Sequence, residues 1–155
     1  MTLHTAYSYY VITGVVPSAA PLALATGDIL VVKINIQRGE SRVVTLCTLR
    51  SGDSTAVCSL DELDAFLKSV NTVELDMGIT YNRQKFGKVC VGDIVAPTEG
   101  VGSSPWVVTE VRFKSPNTVV WAVKGSLSSA FSESKLLVMH RVSDRIFGED
   151  VLFLG

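Results

Sequence analysis

Apolar and polar positions along this chain mostly follow a period of two, with one switch to helical spacing near the middle. Residues 7–16 are rich in aromatic and β-branched side chains and predict a strand. Pro17 and Pro21 bound a loop, and Gly27-Asp28 marks a turn before a second predicted strand at residues 29–36. In residues 42–49, Val43, Thr45, Cys47 and Leu49 share one face while Val44, Leu46 and Thr48 share the other. Both faces are mostly apolar, which predicts a central strand rather than an edge. Ser51-Gly52-Asp53 turns the chain so that residues 55–58 pair back.

Residues 59–70 predict the one helix. Ser59 and Glu62 form an S-x-x-E capping box, and Leu60, Leu63, Phe66, Leu67 and Val70 fall on one helical stripe. Residues 72–82 read as a connector with some strand character. A strand starts at Ile94, and residues 97–105 form a long Gly/Pro/Ser loop. Residues 106–113 and 118–124 predict a hairpin around Ser115-Pro116-Asn117, followed by an insertion at residues 125–130 and a closing strand at residues 137–142. The tail ends in Val151-Leu152-Phe153-Leu154, whose apolar side chains need burial on this chain or on another copy.

The pattern also repeats. Gly27-Asp28-Ile29-Leu30-Val31 returns 65 residues later as Gly92-Asp93-Ile94-Val95-Ala96. Val43-Val44-Thr45 is echoed by Val107-Val108-Thr109. Cys58-Ser59-Leu60 with Leu63 is echoed by Phe131-Ser132 with Leu136. Internal repetition points to two small β units in tandem.

Gly92-Asp93-Ile94-Val95, Trp106-Val107-Val108, Val119-Val120-Trp121 and residues 131–136 resemble the order of elements in SH3-like or Tudor-like small barrels. The resemblance covers residues 92–142 best and 27–63 more loosely; the first unit departs from it by continuing into a full helix. It implies a mainly β fold of two packed SH3-like barrels, residues 1–75 with the helix and residues 76–155 with the tail. It also implies binding through aromatic side chains near strand ends. The small size and tandem barrels resemble virus- or phage-encoded accessory proteins.

Composition narrows the function classes. The apolar fraction of 47% and charged fraction of 19% describe a folded globular chain. With 14 basic and 15 acidic side chains the net charge is −1, so the basic excess of a general nucleic-acid binder is absent. Cys47, Cys58 and Cys90 are an odd number without close spacing, which favours three buried thiols in a reducing compartment over a disulfide or metal set. The first residues lack the charge pattern of a signal peptide, and the apolar stretch at residues 11–25 is broken by Gly14, Pro17 and Pro21, so a cytoplasmic protein is expected, in the host or the virion if viral.

No catalytic, metal or cofactor constellation emerges. His4, expected at a mobile terminus, and His140 have no partners at ligand spacing. Asp61, Glu62 and Asp64 complement a helix start. Gly100-Val101-Gly102 lacks the Lys and helix of a phosphate cradle. The expectation is therefore a non-enzymatic protein-interaction module. Its candidate partner-binding residues are Trp106, Trp121 and Phe113 with Gly100, Gly102, Ser103 and Ser104 of the long loop, supported by Phe131 and Tyr81. Arg83, Lys85 and Lys88 are a candidate basic patch. Nucleic-acid binding through a barrel face ranks second. A virion subunit assembling through residues 151–154 ranks third.

Overall fold

The computed structural model describes residues 2–98, 105–114 and 116–145. Gly100, Gly102, Ser103, Ser104 and the apolar tail at residues 151–154 lie outside the described residues. The chain divides into two units, Met1–Glu74 and Leu75–Gly155.

The first unit is a five-stranded antiparallel sheet with one helix. Its strands are β1 (Thr2–Ile12), β2 (Ile29–Arg38), β3 (Val43–Ser51), β4 (Ser54–Cys58) and β5 (Thr72–Glu74), in the order β4-β3-β2-β1-β5. Helix α1 (Leu60–Ser69) connects β4 to β5. The register, running from Thr2↔Arg38 to Val11↔Ile29, places Leu30 and Val32 on the same face as Ile12, Cys47, Leu49 and Cys58. Leu63, Phe66 and Val70 join that face to complete one buried cluster. Removing each such Leu, Val or Phe from water contributes about 1.5–3 kcal/mol, which is what holds a helix of only ten residues in place.

The second unit opens with helix α2 (Met77–Lys85) and continues through β6 (Ile94–Pro97), β7 (Trp106–Lys114), β8 (Asn117–Lys124) and β9 (Leu127–Ser132). A single 3-10 turn, Glu133–Lys135, leads to β10 (Leu136–His140), and a second follows at Val142–Arg145. The strand order is β10-β6-β7-β8-β9. Val89, Val95, Val108 and Val120 form the buried cluster, with Trp106, Val111, Leu136 and Val138 packed against it.

Both sheets share one topology. Four strands meander in sequence, the fifth returns beside the first, and a helical segment separates the fourth from the fifth. Neither sheet closes: among the described residues the outer strands β4 and β5 do not pair, nor do β9 and β10. The expected closed barrels are thus two open five-stranded sheets.

Four further expectations are corrected. Two helices, not one, are present among the described residues, because residues 77–85 form α2 within the supposed connector. Asp76 caps it, its Oδ1 accepting from the Ile79 N–H at 3.1 Å. The supposed insertion at residues 125–130 is the turn into β9 and most of that strand, paired with β8 from Val119↔Ser132 to Lys124↔Leu127. His4 is not at a loose end; it lies in β1 opposite Ile36. Finally, β3 is interior, between β2 and β4, but only its Cys47 and Leu49 face is buried, while Val44 and Leu46 are exposed.

Candidate functional site

The repeated Gly-Asp pairs build the same turn twice. In the first unit the Asp28 N–H donates to the Ala25 carbonyl at 3.0 Å, and Asp28 Oδ2 accepts from the Ala25 N–H at 2.8 Å. In the second, the Asp93 N–H donates to Cys90 at 3.1 Å, and Asp93 Oδ2 accepts from the Cys90 N–H at 2.9 Å. Gly27 and Gly92 sit at φ of 95° and 93°, the third position of a type II turn, where a Cβ is disfavoured. Each glycine N–H then ties the turn to a neighbouring strand, Gly27 to Ile12 at 2.6 Å and Gly92 to Val108 at 2.9 Å.

The two turns differ in burial and in place. Asp28 is half-buried, whereas Asp93 is 1% exposed and its Oδ1 also accepts from the Val142 N–H at 2.8 Å. Asp93 therefore anchors the segment after β10 to the entrance of β6. Gly27-Asp28 opens the second strand of its sheet and Gly92-Asp93 the first of its own, so the sequence repeat is one of turn chemistry, shifted by one strand against the shared topology.

The candidate basic residues do not form an open patch. Arg83 Nη2 meets Glu133 Oε2 at 2.7 Å, and Arg83 Nε donates to the Val89 carbonyl at 2.7 Å. Lys88 Nζ lies 4.0 Å from Glu133 Oε1, and the Val89 N–H donates to Glu133 Oε2 at 3.0 Å. Glu133, 50 residues from Arg83 in sequence, thus pairs closely with Arg83, lies at the edge of ion-pair range from the half-exposed Lys88, and fastens the end of α2 to the 3-10 turn before β10. Lys85 is exposed in the last turn of α2, where it complements the helix dipole.

The aromatic candidates divide between two faces of the second sheet. Trp106 points to the core face, in edge contact with Phe131 at 5.2 Å and 74°, and Lys124 Nζ stands 5.9 Å from its ring centroid. Its π surface is already engaged by the protein's own groups. Phe113 is on the same face but beyond the core, 75% exposed near the β7–β8 turn. Trp121 points the other way, because Val120 and Ala122 on either side of it are wholly buried. It is 36% exposed, opposite Glu110 on β7 and Ala130 on β9, and Glu110 pairs with Arg112 Nε on the same face. Tyr81, in α2, is half-buried, and burial raises its pKa.

The first unit carries a concavity that the sequence did not indicate. Pro17, Ala19, Ala20 and Pro21 of the β1–β2 connection face Glu62, Phe66 and other residues of α1 across a groove of about 430 Å³. Glu62 is not free there, since it accepts from the Ser59 N–H and hydroxyl at 3.3 and 3.0 Å in the capping box.

Asp28, Asp93, Glu62, Arg83 and Glu133 each hold backbone or side-chain partners through their ionisable groups. Burial, reinforced by Asp93 and partly offset by Arg83 and Arg141, pushes the Cys90 thiol up to about 11. A thiol held protonated in this way is a poor nucleophile at neutral pH. No group of three or more His, Cys, Asp or Glu side chains suited to a metal ion occurs among the described residues. No helix among them is long and apolar enough to cross a membrane. Comparison with protein-family models, curated proteins and solved structures gives no match.

Proposed function

We propose that this chain is a non-enzymatic protein-interaction module built from two SH3-like units, with Trp121 at the centre of its contact surface. The strand order repeated in both sheets, with a helical segment before the returning strand, supports the SH3-like assignment. The observation that carries the reading is Trp121 itself. It is a large aromatic side chain standing on the outward face of a paired strand, diagonal to Arg112, with small Ala130 beside it. Trp and Arg at the centre of a patch, with small neighbours that let a partner approach, are the residue types that dominate protein–protein affinity. At 36% exposure part of the Trp121 ring is covered on the sheet and part is open to a partner, while Val120 and Ala122 on either side of it are wholly buried.

A photo-crosslinking amino acid at position 121, introduced in the cells that make the protein, is expected to trap a partner polypeptide that excess unmodified protein displaces. Trp121→Ala should then weaken that partner's binding by about tenfold or more with an unchanged circular dichroism spectrum. Equal affinity of the variant, or an adduct with nucleic acid whose affinity falls steeply with salt, overturns the proposal.

A further inference from the structure

Cys47 and Cys58 are 11 positions apart in sequence, but the β3–β4 register sets them directly opposite each other, Cys47↔Cys58. Opposed residues of an antiparallel pair have Cα atoms about 4.5–5.5 Å apart. A disulfide spans about 4.4–6.8 Å between Cα atoms, so a directly opposed pair lies within its reach. Both side chains belong to the buried cluster of the first unit, hence point to the same face, and both are free thiols. Each alone would be an ordinary buried cysteine; facing each other they are a dithiol.

We propose that Cys47 and Cys58 are a reversible redox site, joined by a peroxide into a cross-strand disulfide. The step balances as two thiols and one hydrogen peroxide giving one disulfide and two waters. Cys58 reacts first, being 5% exposed on an outermost strand, against 0% for Cys47 on an interior one. Its sulfur attacks a peroxide oxygen, the O–O bond breaks, and a sulfenic acid and water result. The Cys47 sulfur then attacks that sulfenic sulfur, the S–O bond breaks, and the departing hydroxide takes the second thiol proton as water. The sulfurs lose two electrons and the peroxide gains them; a dithiol reductant reverses the link by exchange. Burial raises both thiols above their ordinary pKa, with the neighbouring thiol adding to the rise at Cys47. Oxidation is accordingly slow at neutral pH and proceeds through local opening of β4, five residues long and paired on one side only. The link fastens that outer strand to β3. Cys90, in the second unit, is engaged locally, its Sγ 3.4 and 3.5 Å from the Thr80 and Lys88 carbonyls.

The reduced full-length protein is exposed to hydrogen peroxide under native conditions, denatured, alkylated, and weighed intact. Of the three thiols, only Cys90 is expected to remain alkylatable, peptide mapping should show the 47–58 link, and dithiothreitol should restore all three. The linked form should also unfold at a higher temperature than the reduced form. The Cys90→Ser variant, whose Cys47 and Cys58 are untouched, should give the same link. Oxidation in urea is the control for geometry and should yield a mixture of pairings. Three thiols surviving peroxide, sulfinic acids without a link, or a native link through Cys90 overturns the proposal.

Discussion

At the residue scale, the two Gly-Asp turns are a natural experiment in burial. Asp28 and Asp93 make the same contacts to the residue three positions earlier, but Asp93 is sealed from solvent and holds a second backbone N–H, that of Val142. Removing a charged acceptor that serves buried donors costs about 3 kcal/mol, whereas losing one at a half-buried turn costs about 1 kcal/mol. Asp93→Ala is therefore expected to destabilise the chain by about three times as much as Asp28→Ala, read from urea midpoints at matched slope. Equal losses would mean that the Val142 contact contributes nothing. The sequence shows two equivalent Gly-Asp pairs. Which one is buried depends on a donor 49 positions away, and no local pattern reports that.

At the element scale, α1 and α2 mark where sequence reading succeeds and where it fails. In α1 the local signals agree: Ser59 caps, Glu62 reciprocates, and Leu63, Phe66 and Val70 of the apolar stripe face the core with Leu67 against them, while Leu60 at its start is exposed. Ser59→Ala should cost about 1 kcal/mol, checked by thermal or urea unfolding, with helix content at the native plateau unchanged because packing of Leu63 and Phe66 persists. In α2 the signals conflict. Gly78 stands in its first turn, and its buried positions are Met77 and a polar residue, Thr80. The Thr80 hydroxyl donates to the Asp76 carbonyl at 2.9 Å, which makes its burial tolerable without any apolar pattern. A helix whose buried face includes a self-satisfied threonine has no stripe to find. The strands tell a similar story. The alternation in residues 42–49 located β3 and its interior position, but an apolar residue on a period-two pattern does not say whether anything covers it; Val44 and Leu46 are exposed.

At the scale of the whole molecule, three thiols and two tyrosines share one direction of shift. Burial raises Cys47, Cys58 and Cys90 above their ordinary value, and it raises Tyr10 and Tyr81 as well. In each case the folded chain keeps a proton at a pH where the unfolded chain has released it. Stability is then undiminished below the thiols' ordinary pKa of 9.0 and falls as pH rises towards 11 and beyond. Urea midpoints measured from neutral to alkaline pH should decline through that window, and replacing Cys90 by Ala should flatten the decline. A pH-independent midpoint would refute the assignment of these groups as buried acids.

The chain's own pattern determined most of the strands, the capped helix, the two Gly-Asp turns and the absence of a basic excess. These depend on neighbours within a few positions or on simple sums of charge. Only the tertiary structure decided that the sheets are open, that the turn repeat is shifted by one strand against the topology, and that Trp106 turns inward while Trp121 turns out. It also decided that Glu133 occupies the supposed basic patch and that Cys47 faces Cys58. All depend on residues distant in the chain, and for the tryptophans and the facing cysteines strand register decides the outcome, since a shift of one residue in register would reverse the faces.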